Sequence, residues 1–409
     1  MRRARFGVVL RLAWRNIWRH RTRTFLLAAV VAYATVATIF YWSMMDGYAL
    51  SVLEAHARYV LAPVTVARTD WFADPDPENG LRDPAPVEEA LARAGARTWA
   101  PRLEFAALLT SPYLSQGAVV RGVDPKREAE LSKVPGRVDE GRWLEAPGEV
   151  VLGYRLADLL DVRLGERLVI SASALAGPQS LGFEVVGIVH AKVSTVDRYG
   201  IYVHLDDARA LTGLTGVTHL AVDAPLGRED ATAARIAPVL PAGVEAKPVW
   251  DLVGPIKTDV EAGKKLSWPI GILLAAFAAL AVTSTLIVSV LERTREFGVT
   301  MALGLDNAHL AVMIVLEAVF STAVGWLLGV ALGYALIGYT STHNVLGPFF
   351  ALFGEIWSDA GLTEEFYTHL SPVYALYALV TVAVSAVTAL LFPALRAARL
   401  KPAEALRWE

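Results

Sequence analysis

Four stretches of the chain, 25–45, 266–291, 310–338 and 371–395, are apolar and carry a single ionisable residue between them, Glu317. A bilayer core of about 30 Å takes about 20 helical residues to cross, and within it every backbone polar group must be satisfied inside the segment. Each run therefore predicts a transmembrane helix. The run 266–291 reaches about 39 Å at helical rise, enough to tilt or to extend past the membrane. The fourth begins at Ser371–Pro372, a helix-start signal, and closes around Pro393. Composition agrees, with 19% charged residues against about a quarter in soluble proteins. The first run follows basic residues as a signal peptide would, but it exceeds an h-region of about 7–15 residues and no small-residue cleavage site follows, so it is read as a retained anchor.

Orientation follows from the basic residues. The first 45 residues hold eight arginines and no acid, and Arg396, Arg399, Lys401 and Arg407 follow the last run. The positive-inside bias places both ends in the cytoplasm. The segment 339–369 has four acids and no Lys or Arg, whereas Lys264 and Lys265 run against the trend. The expected layout is a basic amphipathic helix at 1–23, spans at 24–45, 266–291, 310–338 and 371–395, an extracytoplasmic domain at 46–265, a cytoplasmic loop at 292–309, an outer loop at 339–370 and a tail at 396–409. The fold class is thus an α-helical membrane protein with four transmembrane helices and a large mixed α/β domain inserted between the first two.

Within 46–265 strand-like runs at 63–68, 117–123, 166–173 and 183–189 alternate with helix-like runs at 85–95, 153–162 and 229–240. Segment 69–86 carries four prolines and is expected to be irregular. Recognisable chemistry is sparse. The chain has no cysteine, which removes disulfides and thiolate sites. Its scattered histidines form no HExxH motif, and "EAGKK" at 261–265 lacks the remaining residues of a phosphate loop. Adjacent acids such as Glu88–Glu89 and Asp206–Asp207 read as solvated faces.

The loop "ERTREFGVTMALG" at 292–304 breaks the apolar sequence with charge and glycine. Glu292 and Arg295 share a helix face, Phe297 and Met301 give it an apolar stripe, and Gly298 and Gly304 permit close approach and a turn. Such a helix suits docking on a soluble partner. A solvated connector is the alternative from physics alone.

This loop resembles that of the FtsX-like permease family, the membrane subunits of MacB- and LolC/LolE-type ABC transporters. So do "RLAWRNIWRHRTRTFLL" at 11–27, "LFPALRAARLKPAEALR" at 391–407 and "GEVVLGYRLADLLDVRLGERL" at 148–168, while "MMDGY" at 44–48 leans towards the lipoprotein-release branch. The resemblance implies a non-catalytic permease that works with two ATPase subunits and a second permease chain, ATP and magnesium being bound by the ATPase and no cofactor by this chain. It assigns Glu292, Arg293, Glu296, Phe297, Gly298, Ala302 and Gly304 to the ATPase contact, with Arg295 and Met301 on the same helix. Expected substrates are a lipoprotein or another amphiphile, with membrane lipids as surroundings and no nucleic acid. An FtsX-like mechanotransmitter that switches a cell-wall hydrolase is the alternative.

Glu317 is an intramembrane acid, a functional candidate that also fits pairing with an arginine of the N-terminal helix or a place near the headgroups. Gly325, Gly329 and Gly333 form one smooth helix face for close packing. Phe349, Phe350, Phe353 and Trp357 fit an interfacial belt or a contact with a lipid-bearing substrate.

Overall fold

The computed structural model describes residues 21–174, 177–292, 307–351 and 366–398. The chain divides into a membrane unit of residues 1–48, 260–344 and 367–409 and an outer unit of residues 49–259 and 345–366.

Long helices dominate the first unit: Arg21–Ala55, Gly254–Glu292, Asn307–Thr340 and Val373–Ala398, here the first to fourth long helices. Among the described residues Thr24–Val60, Ile256–Thr285 and Val315–Thr340 are long and apolar enough to cross a membrane, and the fourth helix contributes a shorter apolar stretch, Val373–Ala389. The helices exceed the uncharged runs that announced them. The first continues ten residues past 45 and then into a π-turn, His56–Val60, while the second starts twelve residues before 266. Helix formers outside the apolar run extend both: Val52 and Leu53 stay buried on the first, and nothing in a helix requires it to end where hydrophobicity does. The fourth passes through Pro393 to Ala398 rather than closing at it, and the outer loop 339–370 contains a short helix, Gly347–Ala351.

The outer unit is built on ten strands: β1 Val64–Arg68, β2 Trp99–Thr110, β3 Ser115–Val123, β4 Val138–Gly141, β5 Glu149–Gly153, β6 Arg167–Ala174, β7 Gly177–Val189, β8 Ile201–His204, β9 His219–Val222 and β10 Val244–Pro248. Pairing runs β10-β1-β9-β2-β3-β8-β5-β7-β4, and β6 bridges β7 back to β2, so that β2, β3, β8, β5, β7 and β6 close a ring. Most pairs are antiparallel; β3–β8 and β5–β7 are parallel. Strand β2 shows why the ring has a core. Leu103, Phe105, Ala107 and Leu109 alternate inward and are buried together with Ile170, Phe183 and Val185, as period-two side chains on a pleated strand must be.

Segment 69–86, expected to be irregular, contains the helix Thr69–Ala73 and a 3-10 turn at Pro77–Asn79. Burial explains the first: Trp71 lies against the His219 ring at 4.8 Å between centroids. The Asp76 side chain caps the second by accepting from the Glu78 N–H at 2.8 Å.

Candidate functional site: two helical passages and an apolar groove

The chain passes between its two units at residues 48–49 and 259–260, in both cases inside a helix. In the outer unit these helices lead to paired strands. β1 follows the first helix, β10 precedes the second, and they pair antiparallel along their whole length, Val64 opposite Pro248 and Arg68 opposite Val244. The Val249 N–H donates to the Pro63 carbonyl at 3.0 Å. Leu53, Ala57 and Val249 are buried together, with Leu61 and Trp250 packed against them. Within the outer unit both helices thus lead onto one hydrogen-bonded ribbon.

The first passage is held by charge as well. Arg102, 1% exposed, donates from Nε and Nη2 to the two carboxylate oxygens of Glu128 at 3.0 and 2.7 Å, and from Nη1 to the Leu61 carbonyl. Arg58 pairs with Asp223, and its carbonyl accepts from Ser132 Oγ at 3.1 Å. Beside this lie Glu104 and Arg121, paired at 2.6 Å, and the buried His219. Burial opposes ionisation of Glu104, but the Arg121 guanidinium, with His219 and Arg102 behind it, outweighs burial and holds its carboxyl at about 2. Burial presses His219 down to about 3, against the pull of Glu104, so its imidazole stays neutral at ordinary pH.

In the membrane unit an open apolar groove of about 530 Å³ runs between the second and fourth helices beside the first. Trp42, Trp268 and Tyr377 cluster along it, with ring centroids 5.3 Å apart for Trp42–Trp268, 5.1 Å for Trp42–Tyr377 and 6.4 Å for Trp268–Tyr377. Ile272, Ala276 and Val384 are among the residues lining the rest. Two of its hydroxyls are turned away: Ser385 Oγ donates to the carbonyls of Ala275 and Thr381, each at 2.8 Å, and Thr388 Oγ1 to those of Val384 and Ser385. The size lies within the roughly 300–1,000 Å³ of ligand sites, and the lining suits a hydrocarbon chain.

Of the residues singled out in the sequence, Glu292 is exposed and ends the second helix. Arg293, Arg295, Glu296, Phe297, Gly298, Met301, Ala302 and Gly304 lie outside the described residues, as do Phe353 and Trp357. Phe349 is exposed in the short helix Gly347–Ala351, which also contains Phe350. Glu317 is buried in the third helix. Gly325, Gly329 and Gly333 face the first helix: an added Cβ would meet the Ala28 carbonyl at 2.6 Å, Thr35 Cβ at 2.5 Å and Ile39 Cδ1 at 3.0 Å respectively. Trp42, Trp268 and Tyr377 were not anticipated, since each is one aromatic in a separate apolar run and only the fold brings them together.

Several apolar helices and an outer α/β domain define a membrane permease. Residues 24–239 match the MacB-like periplasmic core domain and 269–402 the FtsX-like permease C-terminal region. The chain belongs to the FtsX-like permeases that carry a MacB-like periplasmic core domain, and is an ABC transporter permease of that type. It is 26% identical to the lipoprotein-releasing system transmembrane protein LolC of Neisseria meningitidis over 94% of both chains. Against LolE of Haemophilus influenzae it is 23% identical over 75% of this chain and 76% of that one. The macrolide export ATP-binding/permease protein MacB of Marinobacter nauticus matches at 27% over 66% of this chain, which spans 46% of that longer protein.

Proposed function

We propose that this chain is the permease of a lipoprotein-releasing type of transporter, in which a separate ATPase drives the outer domain and a lipoprotein or similar amphiphile leaves the outer leaflet of the cytoplasmic membrane. In this reading the chain crosses four times with both termini inside, and two permease chains work with two ATPases. The apolar groove carries the proposal. It offers a hydrocarbon chain a predominantly apolar surface, and a purely signalling permease has no use for one. Similarity to LolC along nearly the whole chain supports the same substrate class.

ATP obtains work here only by favouring one arrangement of the helices over another through different contacts in each. The 292–304 segment is proposed as the contact through which the ATPase does this, and the two helical passages as the route by which the change reaches β1 and β10. Purification in mild detergent with the ATPase held in its ATP state is expected to retain an ATPase and a lipid-modified protein; the chain recovered without any nucleotide-hydrolysing partner contradicts the proposal. Reversing Glu292 and Arg293 to Lys and Glu is expected to leave membrane insertion and ATP hydrolysis in place and to abolish release; release at the parent rate contradicts the assigned contact.

A further inference from the structure

The "MMDGY" stretch that suggested a branch of the family also has a physical role. Ser43 and the chain just before the fourth helix exchange two hydrogen bonds: Ser43 Oγ donates to the His369 carbonyl at 2.6 Å, and the His369 N–H donates to the Ser43 carbonyl at 3.1 Å. Tyr374, itself buried, donates its phenol to Asp46 Oδ2 at 2.7 Å. Gly47 makes room for this, since a Cβ there would stand 2.4 Å from the Tyr367 carbonyl. The third helix joins at the same level. Thr340 and Thr368 share a hydroxyl–hydroxyl bond of 2.7 Å, Thr368 Oγ1 donates to the Ile337 carbonyl at 3.1 Å, and Tyr334 donates to the Ser371 carbonyl at 2.7 Å. Ile39, Ile337, Tyr374 and Ala378 are buried beside these bonds.

The second long helix takes no part in this bracing. Its most apolar window is 17% buried, against 39% and 33% for the first and third helices. Among the described residues, the hydrogen bond that reaches it from another long helix is that of Ser385 to the Ala275 carbonyl, and Val282 is its member of the buried membrane clusters. Pro269 lies inside it, removing a backbone donor from the ladder and crowding the preceding turn.

We infer that the first, third and fourth helices form one fixed block in the membrane unit, closed by the Asp46–Tyr374 contact, and that the second helix is the wall of the groove that moves. Asp46 and Tyr374 are then positioning residues. They hold the Trp42 and Tyr377 side of the groove while Trp268, Ile272 and Ala275 shift against it, which changes its width. The inference rests on the proposed function for its meaning, but its test needs no ATPase.

The absence of native cysteine allows spin labels to be placed on the full chain in lipid nanodiscs. Exposed sites are available as Tyr33→Cys on the first helix, Leu280→Cys on the second, Leu332→Cys on the third and Val387→Cys on the fourth. Distance distributions for 33–332 and 33–387 are expected to be narrow, and that for 280–387 wider by about twofold, as for an element sampling two states. Tyr374→Phe, which keeps the ring, is expected to widen 33–387 towards the width of 280–387. Asp46→Asn is expected to leave it narrow, because an amide oxygen still accepts from the phenol. A 33–387 distribution as wide as 280–387 in the parent overturns the inference, as does an unchanged width in Tyr374→Phe. Should Tyr374→Phe fail to fold, Thr340→Val tests the same brace through the third helix with the same two outcomes. A narrow block in a chain that recruits no ATPase would uphold this inference and sink the proposed function.

Discussion

The first and second long helices do the same topological work and are held in opposite ways. The first is packed along the glycine face of the third helix, braced to the fourth through Ser43 and Asp46, and fixed in the outer unit where Arg102 grips the Leu61 carbonyl. The second has an exposed outer face, with Leu266, Ile272, Phe277 and Leu280 all more than half exposed, and an internal proline. One helix has the contacts of a post and the other those of a lever. The difference lies in the membrane unit, where the first helix is braced to the third and fourth and the second is not.

The largest expected effect is at the anchored passage. Arg102→Ala leaves Glu128 buried without its partner and is expected to cost about 3–5 kcal/mol, read by chemical denaturation of the full chain. At the other passage Lys257→Ala removes a partly exposed pair with Asp251 and is expected to cost about 1 kcal/mol or less; equal losses would erase the contrast.

Glycines sharpen it next. Gly329→Ala places a Cβ 2.5 Å from Thr35 Cβ and 2.7 Å from the Ala32 carbonyl, and the resulting overpacking is expected to cost about 1–3 kcal/mol. Gly271→Ala on the second helix meets Trp42 Cζ2 at 3.6 Å, an ordinary contact, and is expected to gain about 0.5–1 kcal/mol from helix propensity. Thermal unfolding of the pair in one detergent checks both signs.

A pH dependence is expected in the outer unit, small near neutrality and growing as pH falls. His219 is held at about 3 in the folded chain and titrates near 6.5 unfolded. The unfolded chain therefore binds the proton first, and stability that is full above about pH 6.5 falls as pH drops towards 3, by at most about 1.4 kcal/mol per pH unit. Between pH 6.5 and 5.5 the unfolding midpoint should fall, by about 1 kcal/mol of stability, and His219→Gln should flatten that slope. Glu104 adds an acid limb of the usual carboxylate sign: its stabilisation is present above its unfolded value near 4.3 and is lost as pH falls towards about 2.

The membrane helices and much of the outer domain were legible in the sequence because charge-free runs and period-two alternation are local signals. β1, β3 and β6 and the helices Ala85–Arg93 and Tyr154–Leu160 lie where their patterns put them. Strand β2 was missed although Leu103, Phe105, Ala107 and Leu109 alternate, because its alanines and Pro101 dilute the β-branched signal. The helices run on past the apolar stretches where polar residues continue them, as the length of 266–291 allowed for the second. The groove was not legible at all. Trp42, Trp268 and Tyr377 are each more than a hundred residues apart, and a buried pair such as Arg102–Glu128 looks in sequence like two surface charges.

An ATPase can press on the segment between the second and third helices only if that segment faces the cytoplasm. A membrane-impermeant thiol reagent applied to intact cells and to inverted vesicles, with single cysteines at Arg293 and at the exposed Ser115 of β3, decides it. The prediction is labelling of 293 only in inverted vesicles and of 115 only in intact cells. Labelling of 293 from outside the cell would contradict an ATP-driven lever at that loop.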